Sequence, residues 1–324
     1  MGNVLLEVKD LRKYFNVASG KLHAVDDVSF TIEEGKTLGI VGESGCGKST
    51  TGRTLLRLIE PTSGSVYFQG KDITTATKAE MKLLRRDMQI IFQDPFSSVN
   101  PRQTVLQTIE EALVMSGKYK DPDKRFQRAL ELMDTIGIEH RLLNAYPHEM
   151  DGGLRQRVCI ARALAMDPKF IVCDEPVSAL DVSIQAQILN LLKDLQNKFN
   201  LTYVFITHDL SVVKHISHDI AVMYLGRLIE KAPAKELFEN PIHPYTQALL
   251  SAIPVPRLHN RPERIVLKGE ITSPINPEPR CRFANRCNYA TEECFAGEPT
   301  LQEVSAGHFV ACCKCKNGLP VTHK

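Results

Sequence analysis

The strongest signal in the chain is the nine-residue stretch Gly42-Glu43-Ser44-Gly45-Cys46-Gly47-Lys48-Ser49-Thr50. It fits the P-loop pattern, and it follows the apolar run 37–41 and precedes a helical pattern over 48–59, as that motif requires. The glycines let backbone N–H groups turn inward around a phosphate, and the start of the helix adds the positive end of its dipole. We expect Lys48 to reach the β- and γ-phosphates and the Ser49 hydroxyl to ligate Mg²⁺. An ordinary glycine-rich turn requires neither residue, so the complete motif predicts nucleotide binding.

The composition is that of a globular chain without a strong overall charge. The 324 residues are 43% apolar and 24% charged, and 40 basic against 38 acidic side chains give a net charge of +2. This length predicts two or more structural units, and the apolar share excludes global disorder. The near-neutral charge excludes an overall electrostatic bias toward nucleic acid. We find no secretory signal and no apolar run near the ~20 residues that span a bilayer, and therefore expect a cytoplasmic protein.

Short β-branched runs alternate with amphipathic helical patterns, which predicts a parallel sheet covered by helices. After the run at 37–41, further strands are predicted at 170–173, 202–206, 220–225 and 227–230. A helix is predicted over 182–199, where apolar residues recur at helical spacing. The strand signal disappears between about 94 and 157, so we expect a helical insertion within the sheet domain.

Side chains suited to catalysis follow the predicted strands. Asp174 and Glu175 end the buried run at 170–173, where an open parallel sheet places its functional groups. Asp174 suits the Mg²⁺ shell, and Glu175 is suited to polarise a water molecule for attack on the γ-phosphate. Asp181 and His208 follow at the ends of later elements, and His208 is a candidate contact to the γ-phosphate. A solvated acidic turn is the alternative interpretation of the two carboxylates alone.

Together these motifs resemble the ATPases of ABC transporters. Their order in the chain is the Walker A stretch 42–50, the glutamine loop at Gln93, the pair Gly152-Gly153, the Walker B stretch 170–175, the D-loop ending at Asp181, and His208. The resemblance implies an α/β fold: a P-loop NTPase (RecA-like) ABC ATPase core with a β-subdomain, an inserted α-helical subdomain and a Cys-rich C-terminal extension. It also implies that Gln93 contacts Mg²⁺ or the attacking water. An aromatic platform for adenine is implied as well, which we assign to Phe15, with Tyr14 as the alternative.

Three further stretches, at 92–101, 222–227 and 240–246, resemble the ATPase subunits of dipeptide and oligopeptide permeases, and the likeness to their F-type subunit covers nearly the whole chain. It implies an ABC ATPase domain over 1–235 and a C-terminal extension over 236–324. The implied partners are a second ABC ATPase subunit, two transmembrane permease subunits and, indirectly, an extracytoplasmic peptide-binding protein. The implied location is the cytoplasmic face of a prokaryotic cell membrane.

Other functions stay open at this point. Related importers carry nickel, glutathione or oligosaccharides, and a regulatory ABC subunit binds ATP without hydrolysing it. An ABC protein that acts on DNA or ribosomes is disfavoured, because the chain has neither a second cassette nor a long coiled-coil insertion.

The signature segment departs from the family pattern Leu-Ser-Gly-Gly-Gln and reads Met150-Asp151-Gly152-Gly153-Leu154. In an ABC dimer, this segment of one subunit is implied to contact the γ-phosphate held by the other subunit's P-loop. Asp151 replaces a donor with an anion, and at about 4–5 Å and an effective dielectric near 20 the repulsion is on the order of 3–4 kcal/mol. We therefore expect one impaired composite site, either in a heterodimer with one strong site or through an inactivating change. Aspartate and serine cap helices equally well, so the following helix should begin normally.

Six of the nine cysteines lie within the last 44 positions. Four of them, Cys281, Cys287, Cys294 and Cys312, are spaced too openly for a zinc ribbon or finger. The permease resemblance implies that these four hold a structural [4Fe–4S] cluster, with zinc or free thiols as the alternatives. The position of Cys46 inside the P-loop predicts that ATP binding is sensitive to thiol reagents.

Overall fold

The computed structural model describes residues 2–253, 264–269 and 272–315, so parts of the predicted C-terminal extension lie outside the described residues. The strands of the described chain are β1 Val4–Val17, β2 Gly20–Glu33, β3 Thr37–Val41, β4 Ser63–Phe68, β5 Lys71–Asp72, β6 Met88–Ile91, β7 Phe170–Asp174, β8 Thr202–Ile206, β9 Asp219–Tyr224, β10 Arg227–Pro233, β11 Gln302–Ser305 and β12 His308–Val310. The helices are α1 Lys48–Leu55, α2 Lys78–Asp87, α3 Pro95–Ser98, α4 Val105–Ser116, α5 Pro122–Ile136, α6 Gly152–Leu164, α7 Val182–Phe199, α8 Leu210–Ile216, α9 Ala234–Glu239, α10 Pro244–Ser251 and α11 Glu292–Ala296. None of these described helices combines the length and the apolar composition that a membrane crossing requires.

Two compact units divide the chain. One, which we call the helical unit, consists of Met1–Asn3, Glu33–Lys36 and Thr75–Ile206. The other, which we call the P-loop unit, consists of Val4–Ile32, Thr37–Thr74 and Thr207–Lys324. The domain boundary that the sequence predicts after residue 235 does not coincide with a boundary between these two units, and it stays a prediction.

The P-loop unit contains two sets of strands. In one set β2, β1, β4 and β5 are neighbours in that order, and β1 pairs antiparallel with β4 so that Leu6 lies opposite Phe68. In the other set the order is β11-β12-β10-β9-β3, with β3 parallel to β9 and the remaining pairs antiparallel. All five residues of β3 are buried, which explains its uninterrupted apolar character. The strands β9 and β10 meet in a tight turn at Gly226, as the sequence predicts.

The helical unit contains the parallel strands β6, β7 and β8, with β7 in the middle. Every residue of β7 and β8 is buried, so neither run alternates between apolar and polar residues. Residues 94–157 hold α3, α4, α5 and the start of α6 without a strand, as predicted. Local capping starts these helices. Thr104 and Gln107 form a capping box on α4, and the Asp121 carboxylate accepts a hydrogen bond from the N–H of Asp123 on α5.

Helix α1 is shorter than the predicted 48–59. It ends at Leu55, because Arg57 adopts a left-handed backbone conformation (φ 50°) that a right-handed helix cannot include. The Arg57 side chain then donates to the Glu60 carboxylate (2.8 Å) and to the Ile73 carbonyl (3.1 Å), which fixes the turn. The strands β7 and β10 extend past their predicted ends, whereas β3, α7 and β8 have the predicted bounds.

A buried carboxylate organises the residues that follow β10. Glu230 is fully buried, and its oxygens accept hydrogen bonds from the backbone N–H groups of Ile242 (2.8 Å) and His243 (3.0 Å). The Nε2 atom of His308 lies 2.8 Å from the same carboxylate. His243 in turn caps α10, because its Nδ1 atom accepts a hydrogen bond from the N–H of Tyr245. This role requires a neutral imidazole, since a protonated ring has no acceptor.

We predict that acid lowers the folding stability through His243. Burial lowers the pKa of His243 from 6.5 to about 4, so between these values the unfolded chain binds a proton that the folded chain excludes. The stabilisation is complete above pH 6.5, and the free energy of unfolding should fall by about 3 kcal/mol as the pH drops to 4. Asparagine also caps helices but does not titrate, so His243→Asn should lose about 2 kcal/mol less than the wild type between pH 6.5 and 5.

Urea unfolding followed by circular dichroism at several pH values measures this difference. His215→Asn, which changes an exposed histidine of α8, is the matched control and should follow the wild type. Parallel pH profiles for the wild type and the His243 variant would contradict the prediction.

Candidate active site

The stretch 42–50 connects β3 to α1 in the P-loop unit, as the sequence predicts. Gly42 and Gly47 adopt positive φ angles of 151° and 105°, which bend the loop sharply. A Cβ atom at position 47 would lie 2.0 Å from the carbonyl oxygen of Ala24, so only glycine fits there. The tight conformation of the loop is therefore fixed by close backbone contacts within its own unit.

Lys48 is the first residue of α1 and is buried. Its Nζ atom donates to the carbonyl oxygens of Gly42 (2.8 Å) and Glu43 (3.0 Å), so the ammonium group bridges the loop. Phosphate oxygens are stronger acceptors than these carbonyls because they carry charge. Ser49, the predicted Mg²⁺ ligand, and Thr50 follow in the first turn of the helix. The loop thus combines a buried cation, a hydroxyl and a helix N-terminus, which is the chemistry that phosphate binding requires.

The thiol of Cys46 is not exposed, so the predicted sensitivity to thiol reagents is corrected. The residue is only 3% exposed, and its Sγ atom lies 3.9 Å from the Nζ atom of Lys48. Burial raises the pKa of the thiol and keeps it protonated, which is its unreactive form. Cys46 is therefore a packing residue of the loop.

Of the two candidate adenine platforms on β1, Tyr14 is already engaged. Its hydroxyl donates to the Asp26 carboxylate (2.5 Å), and its ring stacks on His23 with the ring centroids 3.8 Å apart. Burial and the hydrogen bond to Asp26 raise the pKa of Tyr14 to about 12. Phe15 is half-buried, and the Nζ atom of Lys13 lies 4.8 Å from its ring centroid. Between these two rings, the geometry favours Phe15 as the surface for a base.

In the helical unit, two predicted catalytic residues are in direct contact. The Nε2 atom of Gln93 donates to the Glu175 carboxylate at 3.0 Å, although the two residues are 82 positions apart. Glu175 follows β7 with a left-handed φ of 49°, and its N–H donates to the Ile206 carbonyl (2.9 Å). Asp174 is buried at the end of β7. The amide of Gln93 therefore orients the carboxylate of Glu175, which is what a candidate general base needs.

The signature segment forms the start of α6. Asp151 is the N-cap, and its Oδ1 atom accepts a hydrogen bond from the N–H of Leu154 at 2.7 Å. Gly153 packs so closely that a Cβ atom there would lie 2.7 Å from a side-chain carbon of Ile184 on α7. The prediction that aspartate leaves this helix intact is confirmed. The carboxylate also lies at the positive end of the helix dipole, which stabilises its charge.

Asp181 and His208 lie at element boundaries, as predicted. Asp181 is the exposed residue before α7, and Ser178 on the same D-loop donates to the Glu175 carbonyl (3.1 Å). In the P-loop unit, the exposed His208 precedes Asp209, which caps α8. Both predicted residues are accessible to a ligand, and their roles stay predictions.

The cysteines of the C-terminal region do not form the predicted ligand set. Within residues 2–253, 264–269 and 272–315, no group of three or more His, Cys, Asp or Glu side chains is placed to hold a metal ion. Burial and the nearby thiols of Cys313, Cys294 and Cys312 raise the pKa of Cys281, so these cysteines lie near one another without forming such a group. Cys294 lies 3.7 Å from the Thr291 hydroxyl, and a hydrogen bond with Cys315 lowers the pKa of Cys312 to about 6. Neither the [4Fe–4S] cluster nor zinc is supported at the four predicted positions, Cys281, Cys287, Cys294 and Cys312.

Two contacts between the C-terminal region and the P-loop are absent from the sequence-based predictions. The Arg286 guanidinium donates to both carboxylate oxygens of Glu43, at 2.7 and 3.2 Å. The Tyr245 hydroxyl accepts a hydrogen bond from the N–H of Glu43 at 2.9 Å. The partners are 243 and 202 positions apart, and no local pattern marks either pair.

The family of the chain follows from comparison with known proteins. A family model described as "ABC transporter" matches residues 25–178, and one described as "Oligopeptide/dipeptide transporter, C-terminal region" matches residues 229–294. The oligopeptide transport ATP-binding protein AppF of Bacillus subtilis (strain 168) is 49% identical over 318 residues, which cover 95% of this chain and 96% of that protein. The dipeptide transport ATP-binding protein DppF of Haemophilus influenzae is 47% identical over 314 residues, with 95% and 96% covered.

A solved structure extends this likeness to the fold. The ATP-binding cassette MJ0796, determined as a dimer in a post-hydrolysis state bound to ADP and Pi, is 32% identical with a TM-score of 0.65. The match covers 71% of this chain and 99% of that one. The chain therefore belongs to the ABC transporter family of ATPases. Within that family it is a member of the oligopeptide and dipeptide transport ATP-binding proteins, which confirms the family and the ATPase core predicted from the sequence.

We predict that Glu175→Gln separates hydrolysis from binding. Removal of a general base costs roughly 10²–10⁴ in rate, so turnover should fall by about that factor while ATP affinity is retained. Lys48→Ala removes the buried ammonium of the loop and should weaken ATP binding itself. Steady-state ATPase assays and equilibrium binding of a fluorescent ATP analogue to the full chain distinguish the two effects.

Asp194→Asn, at an exposed position of α7, makes the same change in charge as Glu175→Gln and is the matched control. Wild-type turnover in Glu175→Gln would exclude this residue as the base.

Proposed function

We propose that the chain is the ATP-hydrolysing subunit of an ABC importer for di- and oligopeptides. The observation that carries this proposal is the 49% identity, over 95% of the chain, with a protein named for oligopeptide transport. The match to the oligopeptide/dipeptide C-terminal region supports it, because that region lies outside the ABC transporter match. Importers of nickel, glutathione or oligosaccharides are less well supported, since the relatives compared above are named for peptides.

ATP binding is proposed for the P-loop unit. Lys48 and the backbone N–H groups of residues 42–50 bind the β- and γ-phosphates, helped by the N-terminus of α1. Phe15 stacks on the adenine ring, since Tyr14 is held by its hydrogen bond to Asp26. The hydroxyl of Ser49 is an oxygen donor of the kind that Mg²⁺ prefers.

Hydrolysis is proposed for the residues at the end of β7 and for His208. Glu175, oriented by the Gln93 amide at 3.0 Å, accepts the proton of the attacking water. His208 contacts the γ-phosphate. Asp174 and Gln93 supply further oxygen donors for Mg²⁺, an ion that neutralises charge on the phosphates when bound.

The signature segment is proposed to act across a head-to-tail dimer that ATP closes. The Asp151 carboxylate accepts a hydrogen bond from the N–H of Leu154 in its own helix. The Leu154 N–H is therefore not directed at a partner's phosphate. The negative charge that remains repels the γ-phosphate by an amount on the order of 3–4 kcal/mol at about 4–5 Å. A heterodimer accommodates this defect, because a partner with an intact signature completes the site that uses Lys48 and Glu175 of this chain.

We predict that Asp151→Ser combined with Leu154→Gln raises ATP turnover of the assembled transporter. If the impaired site becomes equal to the intact one, turnover per dimer should about double, and it should increase further where closure limits the rate. The measurement is the ATPase rate of the complex reconstituted in lipid, before and after the double change.

Two single variants distinguish the effect of the Asp151 charge on turnover from an effect on folding stability. Asp151→Ser alone keeps the helix cap and should keep the melting temperature, whereas Asp151→Ala should cost about 1 kcal/mol of stability. An unchanged rate in the double variant would exclude the impaired-signature hypothesis. A complex that stays inactive would point to the hydrolysis-deficient alternative.

A groove in the helical unit is the proposed docking site for a permease subunit. It has a volume of about 810 Å³ and is walled by α2 and α4. Lys78, Lys82 and Arg85 line its α2 side, and Val114 and Met115 on α4 are 54% and 65% exposed. Several cations beside exposed apolar side chains suit a short segment with acidic and apolar residues. We propose that a cytoplasmic loop of the membrane subunit supplies this segment, which makes the chain a peripheral protein of the cytoplasmic face.

The proposed function and this docking site are tested together. ATP-driven uptake of a labelled dipeptide into vesicles should require the chain and its membrane subunits. Lys78→Glu with Lys82→Glu should reverse the charge of one wall, reduce capture of the membrane subunits at least tenfold and abolish uptake. ATP binding by the separate full chain should be unaffected, because neither lysine belongs to the ATP site.

Lys193→Glu and Lys198→Glu on α7, which lie outside the groove, provide a matched double charge reversal. Capture that survives reversal of the groove charges would exclude the docking site. Uptake of an unrelated solute, with none of peptide, would exclude the proposed function.

A further inference from the structure

The C-terminal region contacts the P-loop through the ion pair of Arg286 and Glu43. Both guanidinium nitrogens at the end of the Arg286 side chain take part, at 2.7 and 3.2 Å, so the pair is bidentate. The Arg286 side chain is 9% exposed and that of Glu43 is 24% exposed, which makes this a largely buried pair. A buried charge without its partner is strongly unfavourable, so the two residues depend on each other.

An aromatic group holds Arg286 in place. The guanidinium lies over the ring of Tyr224, with 5.9 Å between Cζ and the ring centroid. Phe283 packs against Tyr224 and Tyr245, with ring centroids 5.3 and 5.5 Å apart. The backbone N–H of Arg286 donates to the Phe283 carbonyl at 3.0 Å, which fixes the turn that carries the arginine. The orientation of the guanidinium toward Glu43 is therefore built into the packing of this unit.

The C-terminal region has other attachments, so anchoring alone does not explain Arg286. Arg282 forms an ion pair with Asp26 and donates to the Leu225 carbonyl. The strand β12 pairs with β10, and His308 lies within hydrogen-bond distance of the buried Glu230. These contacts do not involve the P-loop residues, and they should hold the region in place without the Arg286 pair.

The position of Glu43 makes its charge important for ligand binding. Glu43 is the second residue of the 42–50 loop, and its carbonyl oxygen is one of the two acceptors of Lys48 (3.0 Å). The loop thus carries a carboxylate on the backbone that is proposed to surround a polyanionic ligand. An uncompensated negative charge at this place would repel phosphate and compete for the Lys48 ammonium.

We propose that Arg286 is a positioning residue of the ATP site, which neutralises Glu43 so that the P-loop accepts the phosphates of ATP. The inference rests on the proposed role of residues 42–50 in phosphate binding. It assigns the C-terminal region a direct part in nucleotide affinity, through a side chain that does not itself touch the ligand.

The test is a double-mutant cycle on the full chain, with binding of a fluorescent ATP analogue as the measurement. Arg286→Gln should leave the Glu43 charge unpaired and weaken ATP binding about tenfold. Glu43→Gln with Arg286→Gln removes both charges and should recover most of the affinity lost in Arg286→Gln, whereas Glu43→Gln alone leaves an uncompensated cation near the phosphates and should tighten binding. Arg286→Lys keeps the charge but loses the bidentate geometry, and should lie between the wild type and Arg286→Gln.

Two further measurements separate this role from a structural one. Thermal unfolding of Arg286→Gln should show a folded chain, and in the assembled transporter its KM for ATP should rise while kcat is retained. A double variant that binds ATP as weakly as Arg286→Gln alone would overturn the inference, because the loss of affinity would then not depend on the Glu43 carboxylate.

Lys48→Ala distinguishes a failure of the role proposed for Arg286 from a failure of the proposed phosphate site. If Lys48→Ala loses ATP binding and Arg286→Gln binds like the wild type, only the role of Arg286 is wrong. If Lys48→Ala also binds like the wild type, the proposed phosphate site itself is wrong.

Discussion

The P-loop unit depends on one close backbone contact, in which the loop lies against the turn between β9 and β10. The N–H of Gly226 donates to the Cys46 carbonyl at 2.8 Å, and the Gly226 carbonyl accepts the N–H of Asp26 at the same distance. These hydrogen bonds connect the phosphate loop to β2 and to the β9–β10 turn. Burial opposes ionisation of Asp26, but hydrogen bonds from Tyr14 and His23 and the charge of Arg282 outweigh it and lower its pKa to about 2. A permanently charged Asp26 therefore links the loop, the candidate adenine strand and the C-terminal region.

The parts of the fold that were predicted correctly have local signals in the sequence. The apolar run of β3, the helical spacing of α7 and the glycines of the loop each act over a few residues, and burial or backbone geometry enforces them directly. The end of α1 was missed because a left-handed Arg57 depends on contacts to Glu60 and Ile73, and only one of these is close in sequence. Long-range pairs such as Arg286 with Glu43 leave no periodic pattern. A single sequence does not distinguish an arginine that pairs with a distant carboxylate from one that faces the solvent.

The candidate site likewise combines features that the sequence predicts with contacts that it does not reveal. The family pattern assigned both Gln93 and Glu175 to catalysis, and the structure adds a direct contact between them across 82 positions. The choice between Tyr14 and Phe15 required the hydrogen bond to Asp26, which spacing alone does not reveal. The cysteines show the limit of a family pattern as a guide. The resemblance implied a ligand set of four thiols, although their spacing is too open for a zinc ribbon or finger. Among the described residues no group is placed to hold a metal ion, and Cys312 has a hydrogen bond with Cys315, a residue outside the pattern.

The two halves of an ABC ATP site are under different physical constraints in this chain. At Gly47 a side chain would collide with the Ala24 carbonyl, so substitution there damages the fold as well as the chemistry. At Asp151 the fold requires only an N-cap, and a carboxylate meets that requirement as well as a hydroxyl does. The fold therefore accepts aspartate at this position as readily as serine. For this reason the proposed impairment of the signature is compatible with an intact P-loop in the same chain.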